Sequence, residues 1–231
     1  MKTFLLLSLA AQLSYAQTWV HKGQPAQIIE LYTSEGCSSC PPADLYLSEL
    51  KANPDLWNKV IPMAFHVDYW DYLGWKDPYA QPPFTLRQRL YKKYQVVESV
   101  YTPSFVVDGK EWRGFFNWLN QDLPEVSKRS AKKLSMTIDG SQVSIEYHDQ
   151  QALDLTLVAI ANERFTEVKA GENRGKRLEH SFIVLEQHQQ RSNNGSWQLE
   201  IVSEDYDVLA LWVTPTDSFI PLQTLAAKKT E

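Results

Sequence analysis

Apolar and polar positions change period several times along the chain. Gln27-Ile28-Ile29-Glu30-Leu31-Tyr32 is a short, β-branched run closed by Thr33-Ser34-Glu35-Gly36, which predicts a strand followed by a turn. After Cys40 the spacing becomes helical: Pro41 and Pro42 suit a first turn, and Ala43, Leu47 and Leu50 share one face. Val60 to Val67 predicts a second strand, with Pro62 as an objection. An aromatic loop follows, carrying Tyr69, Trp70, Tyr72, Trp75 and Tyr79. Thr85 to Tyr94 predicts a helix with Leu86, Leu90 and Tyr94 on one apolar face at a four-residue period. Phe105-Val106-Val107, Asp108-Gly109 and Glu111-Trp112-Arg113 predict a hairpin. Asp122 is placed to cap a helix running to about Lys133.

From Leu134 the alternation is of period two. "LSMTI" and "SQVSIEY" flank an Asp139-Gly140 turn, a strong hairpin signal, and further strands are predicted at 153–162, 181–187, 197–201 and 208–214. Residues 17–133 therefore read β-α-β-α-β-β-α, and 134–223 read as an all-β, sandwich-like domain. Residues 224–231 read as a loose tail.

The amino terminus changes the picture of where such a protein works. Lys2, the apolar run Phe4–Leu13 and the small residues Ser14 and Ala16 form a signal-peptide pattern over 1–16. The run is shorter than the roughly 20 residues of a spanning helix. Export to the periplasm or medium is the expectation, with no stable membrane insertion. A net charge of −5 gives no basic surface for nucleic acid, and eight tryptophans with eleven tyrosines describe a globular chain.

The only two cysteines lie in Ser34-Glu35-Gly36-Cys37-Ser38-Ser39-Cys40-Pro41-Pro42. As a staple the pair would close a ring of about four residues and contribute only roughly 2 kcal/mol. As a structural zinc knuckle it lacks a second knuckle or a His-x₃₋₅-His partner, whereas copper(I) held by Cys37, Cys40 and His66 remains open. Redox exchange fits the surroundings better. A helix beginning at the motif favours a Cys37 thiolate, and Cys40, one turn in, is placed to resolve a mixed disulfide.

Three stretches, "ELYTSEGCSSCPPAD", "AFHVDYWDYLGWKDPYA" and "YTPSFVVDG", together resemble the DUF1223 family of exported thioredoxin-like proteins, and "AGENRGKRLEHSFIV" extends the likeness. The resemblance implies an α/β thioredoxin-like domain followed by the all-β domain, and a redox role for the disulfide-forming Cys37 and Cys40. It also implies a cis Thr102–Pro103 bond facing the cysteines, with Pro103 shaping a groove and Thr102 pairing with a bound peptide. Ser38 and Ser39 replace the Gly-Pro of typical thioredoxins, and their hydroxyls are placed to stabilise a thiolate, towards the oxidising end.

His66 and Asp68 point the same way by strand alternation and are candidate proton acceptors for Cys40, or a hydrogen-bonded pair that orders the loop. Trp70 and its aromatic neighbours are candidates for substrate contact or for packing. "AGENRGKRLEH" reads as a solvated hairpin tip, although its likeness to the family motif suggests a return towards the cysteines. Exchange with thiols or disulfides of exported proteins, reset by a membrane redox partner, is the function expected, with no cofactor. The alternatives are a copper(I) module and a non-catalytic binding protein.

Overall fold

The computed structural model describes residues 16–117, 119–126, 128–129, 131–149 and 151–229. The expected leader, 1–16, lies outside the described residues except for Ala16. Among the described residues twelve strands and two α-helices follow one another: β1 (Gln17–His21), β2 (Gln27–Thr33), α1 (Pro41–Ser48), β3 (Val60–His66), α2 (Pro82–Lys93), β4 (Ser104–Val107), β5 (Lys110–Trp112), β6 (Leu134–Asp139), β7 (Gln142–Tyr147), β8 (Leu153–Glu167), β9 (Arg177–Ser192), β10 (Ser196–Glu200), β11 (Val208–Pro215) and β12 (Gln223–Lys228).

The strands form two sheets, one of four strands in the order β1-β6-β7-β10 and one of eight in the order β12-β11-β8-β9-β3-β2-β4-β5. This overturns the expected fold class, an α/β thioredoxin-like domain followed by an all-β domain. β9 runs parallel to β3 through Ala64 and Ile183, so strands from both halves share one hydrogen-bonded sheet. Period-two patterning marks a strand but carries no information on which strand it joins. Among the described residues two short α-helices flank the sheet, and the molecule is mostly β.

β2 and β3 are buried at every position, as central strands covered on both faces must be. Ile29, Leu31, Phe65, Phe105 and Val106 make one core with α1 and α2. The four-stranded sheet packs Met136, Ile145 and Trp197 onto Leu155, Leu211 and Val213 of β8 and β11 in a second core. β8 and β9 are 15 and 16 residues long. Leu155 of that hairpin lies in the sandwich core, while its far end reaches α1, which packs against β9.

Two local expectations fail, and one apolar face turns outward. The helix over 122–133 does not form at its described positions. Arg129 there spans to Asp108 and to the Pro221 carbonyl, while the Pro124 carbonyl accepts from Gln27, so an extended strap satisfies these groups instead. The tail expected over 224–231 forms strand β12 as far as Lys228, paired with β11. In α2 the exposed side is that apolar face, with Leu86 and Tyr94 outward and Phe84, Arg87, Gln88 and Tyr91 buried. Glu30 of β2 explains the reversal. It is 1% exposed and takes two hydrogen bonds from Arg87 at 2.7 and 2.9 Å and one from Tyr91 at 2.5 Å. A buried charge needs such partners, so a cation faces inward.

Candidate functional site

The turn after β2 delivers Cys37, and α1 begins at Cys40, which caps it. The two are joined as a disulfide, with Cα atoms 5.4 Å apart. Cys37 is 1% exposed and Cys40 0%, while Ser38 and Ser39 between them face solvent. The amino end of α1 does not supply the free amides that the sequence suggests. Pro41 and Pro42 have no N–H, the Ala43 and Asp44 amides donate to the Cys40 carbonyl, and the Cys40 amide donates to the Cys37 carbonyl. The polar atom beside the Cys37 sulfur is Ser39 Oγ, at 3.4 Å.

Two walls close over the pair. Trp70 lies against Gly36, where a Cβ would stand 2.9 Å from Trp70 Cβ, so only glycine fits. Its indole Nε1 donates to Thr102 Oγ1 at 2.7 Å, and the Thr102–Pro103 bond is cis. Trp70 thus ties the candidate contact residues Thr102 and Trp70 to the motif and leaves them half-buried.

The other wall is the 168–176 turn between β8 and β9. Lys169, Glu172, Arg174, Gly175 and Lys176 face solvent, as a hairpin tip would, but Asn173 turns inward to the motif. Glu172 accepts from the Ser38 amide at 2.9 Å, and buried Asn173 donates from Nδ2 to the carbonyls of Glu35 and Cys37, both at 2.9 Å. Gly171, at φ +73°, lets the turn pass close to Trp75, where a Cβ on residue 171 would stand 3.2 Å from Trp75 Cβ. The amides of Val168, Arg174, Gly175 and Lys176 donate within the turn.

Behind the disulfide lies a buried polar cluster. His66 Nδ1 donates to Asp77 Oδ2 at 2.7 Å, and His180 Nε2 donates to Glu35 Oε1 at 2.9 Å. The two imidazoles stand 4.9 Å apart, edge to face, with Tyr79 packed against both. Trp75 Nε1 donates to Glu35 Oε2, and Asp77 also accepts from the amides of Glu35 and Tyr79. Burial pulls the His66 imidazole down, but the charge and hydrogen bond of Asp77 outweigh it and leave it raised. Burial pushes Asp77 up, but His66 and the two amides outweigh that and hold it below the usual carboxylate range. Burial raises Asp44 to about 6, partly offset by His180 and His66.

The sequence candidates therefore part company. Cys37, Cys40, Ser38 and Ser39 stand together, with Thr102 tied to the motif through Trp70 and His66 in the cluster behind. Asp68 does not join His66: it accepts from Thr85 Oγ1 at 2.5 Å and orders the start of α2. Strand alternation fails here because β3 ends at His66. Glu35, Asp44 and Asp77 are not singled out by the sequence. Glu35 and Asp77 lie inside the quoted motifs, yet nothing local marks a carboxylate as buried. Among the described residues no three His, Cys, Asp or Glu side chains are grouped as metal ligands, and no helix is long and apolar enough to cross a membrane.

The fold and site define a mostly-β, two-sheet protein with a covered Cys-x-x-Cys disulfide set on buried acid–imidazole pairs. The family described as "Protein of unknown function (DUF1223)" matches residues 28–213, and the chain belongs to it. The chain is similar in structure to protein AGR_C_4864 from Agrobacterium tumefaciens, with a TM-score of 0.61, 22% identity, and coverage of 91% of this chain and 98% of that one. It is also similar to HBP35 of Porphyromonas gingivalis, with a TM-score of 0.52, 12% identity, and coverage of 90% of this chain and 75% of that one. At these identities the likeness concerns the fold. No curated protein matches the chain.

Proposed function

We propose that the protein exchanges thiols and disulfides through Cys37 and Cys40 in an exported compartment. The observation that carries this reading is the placement of the pair on a buried cluster of Glu35, Asp44, His66, Asp77 and His180. A ring of about four residues contributes only roughly 2 kcal/mol as a cross-link. Burying five titratable groups beside it is a cost that a staple does not require, and such groups concentrate where protons are moved. A partner thiolate attacks Cys37, a mixed disulfide forms, and Cys40 leaves as the resolving sulfur. The Ser39 hydroxyl supports the Cys37 thiolate in the reverse step. Access requires the 168–176 turn to swing from Ser38 and Cys37, and its outer bond, from Glu172, is at the exposed surface. The partners are thiols or disulfides of exported proteins. The signal-peptide pattern over 1–16 supports that compartment, where disulfides persist.

The burial of both sulfurs favours a second reading, a closed structural staple. A Cys40→Ser variant separates the two. An exchanging protein traps partners through Cys37 as mixed disulfides released by dithiothreitol, and a matched Cys37→Ser, Cys40→Ser variant traps none. If neither variant captures partners, the exchange reading fails.

A further inference from the structure

A cleft of about 180 Å³ lies against α1, between Pro41, Asp44 and Ser48 on one side and Arg177 to Glu179 of β9 on the other. Asp44 is 7% exposed and lines this cleft, and it sits one turn beyond Cys40 on the same helix. Thr33 Oγ1 bonds the Asp44 carboxyl, and buried near it are His66 Nε2 and His180 Nδ1, neither with a hydrogen-bond partner among the described residues. The far nitrogens of both rings are held by Asp77 and Glu35, so the free edges cannot turn to other partners. A buried polar atom left unpaired is costly. Two imidazole edges left so beside one acid mark a place for an ordered water or a proton in transit.

We propose that Asp44 is a positioning residue that delivers protons between solvent and Cys40 through this cluster. The proposal rests on the exchange reading above. When a partner thiolate attacks Cys37, the new sulfur–sulfur bond forms as the Cys37–Cys40 bond breaks, and its electron pair stays on Cys40. The Asp44 carboxyl gives up its proton towards Cys40 by way of the unpaired imidazole edges, and Cys40 becomes a thiol. The carboxylate left behind recovers a proton from water in the cleft. The reductant is the partner's thiol, and no other co-reactant enters. The charged and titratable groups around Asp44 are His66 of β3, Asp77 of the aromatic loop, His180 of β9 with Glu35 bonded to its far nitrogen, and, across the cleft, Arg177 and Glu179. Ser48 of α1 holds its hydroxyl on the Asp44 carbonyl and on Ser181, which fixes the cleft wall.

The test follows reduction of the native protein by dithiothreitol in stopped flow, with tryptophan fluorescence as readout and each rate divided by the thiolate present. With Asp44 ionising near 6, the normalised rate falls about tenfold per pH unit between pH 6 and 8. Asp44→Asn gives a flat profile, and Asp44→Glu retains the fall with a displaced midpoint. A flat wild-type profile overturns the proposal whatever the variants do, as does a fall that survives in Asp44→Asn. If Asn does not fold, an unmoved midpoint in Glu overturns it. Normal exchange with a flat profile removes the relay alone, whereas a disulfide that yields only on unfolding removes the exchange reading as well.

Discussion

Asn173 holds Cys37 across 136 positions of sequence, donating from Nδ2 to its carbonyl at 2.9 Å, and the same amide group reaches the Glu35 carbonyl. One buried side chain thus fastens the β8–β9 turn over the disulfide. Asn173→Ala leaves two buried carbonyls without this donor, each worth roughly 1–3 kcal/mol. The expected result is a loss of about 2–4 kcal/mol in urea unfolding, with native-state reduction by dithiothreitol at least about tenfold faster. Unchanged reduction in the variant would show that the turn does not control access.

Gly36→Ala tests the other wall. The added methyl meets Trp70 Cβ at 2.9 Å and the Trp70 carbonyl at 3.3 Å. Displacing Trp70 breaks its bond to Thr102 and costs about 1–3 kcal/mol. Tryptophan emission should shift to longer wavelength, and in a Trp70→Phe background Gly36→Ala should leave the emission unshifted.

Stability should fall as pH rises through the acid range. Asp44 is raised to about 6 in the folded chain from an ordinary 3.8. Between those values the native state holds a proton that the unfolded state has lost, so stability present below pH 3.8 is lost by about pH 6. The size is on the order of 2–3 kcal/mol. His66 acts in the same sense at higher pH, because its raised imidazole contributes below its unfolded value and is lost above its folded one. Asp77, held low, contributes above its unfolded value and is lost only in stronger acid. Urea midpoints from pH 4 to 7 check this, and the decline between 4 and 6 should be absent in Asp44→Asn.

The Glu30–Arg87 pair stands apart from the site. Arg87→Leu leaves Glu30 charged and buried, and should cost about 3–5 kcal/mol. Adding Glu30→Gln should recover part of that loss, as a double-mutant cycle in urea would show.

β2, α1, β3 and the two Asp-Gly hairpins were legible because their signals are local: an apolar run, a first-turn proline pair, a tight turn. α2 was legible as a helix but not by face, since Arg87 and Gln88 look exposed until Glu30 and the Tyr101 carbonyl are known to lie beneath them. The fold class failed on the Ala64–Ile183 pairing, which no periodicity records. The site was half legible. Cys37, Cys40 and His66 announced themselves by type, while Glu35 and His180, 145 positions apart, meet only because the long β8–β9 hairpin carries one to the other.

The reduction potential of the Cys37–Cys40 pair, equilibrated in glutathione or dithiothreitol buffers at pH 7, tests the central claim most directly. A working exchange pair should lie between about −120 and about −270 mV. A value below about −300 mV would make the covered disulfide an inert cross-link and contradict the account.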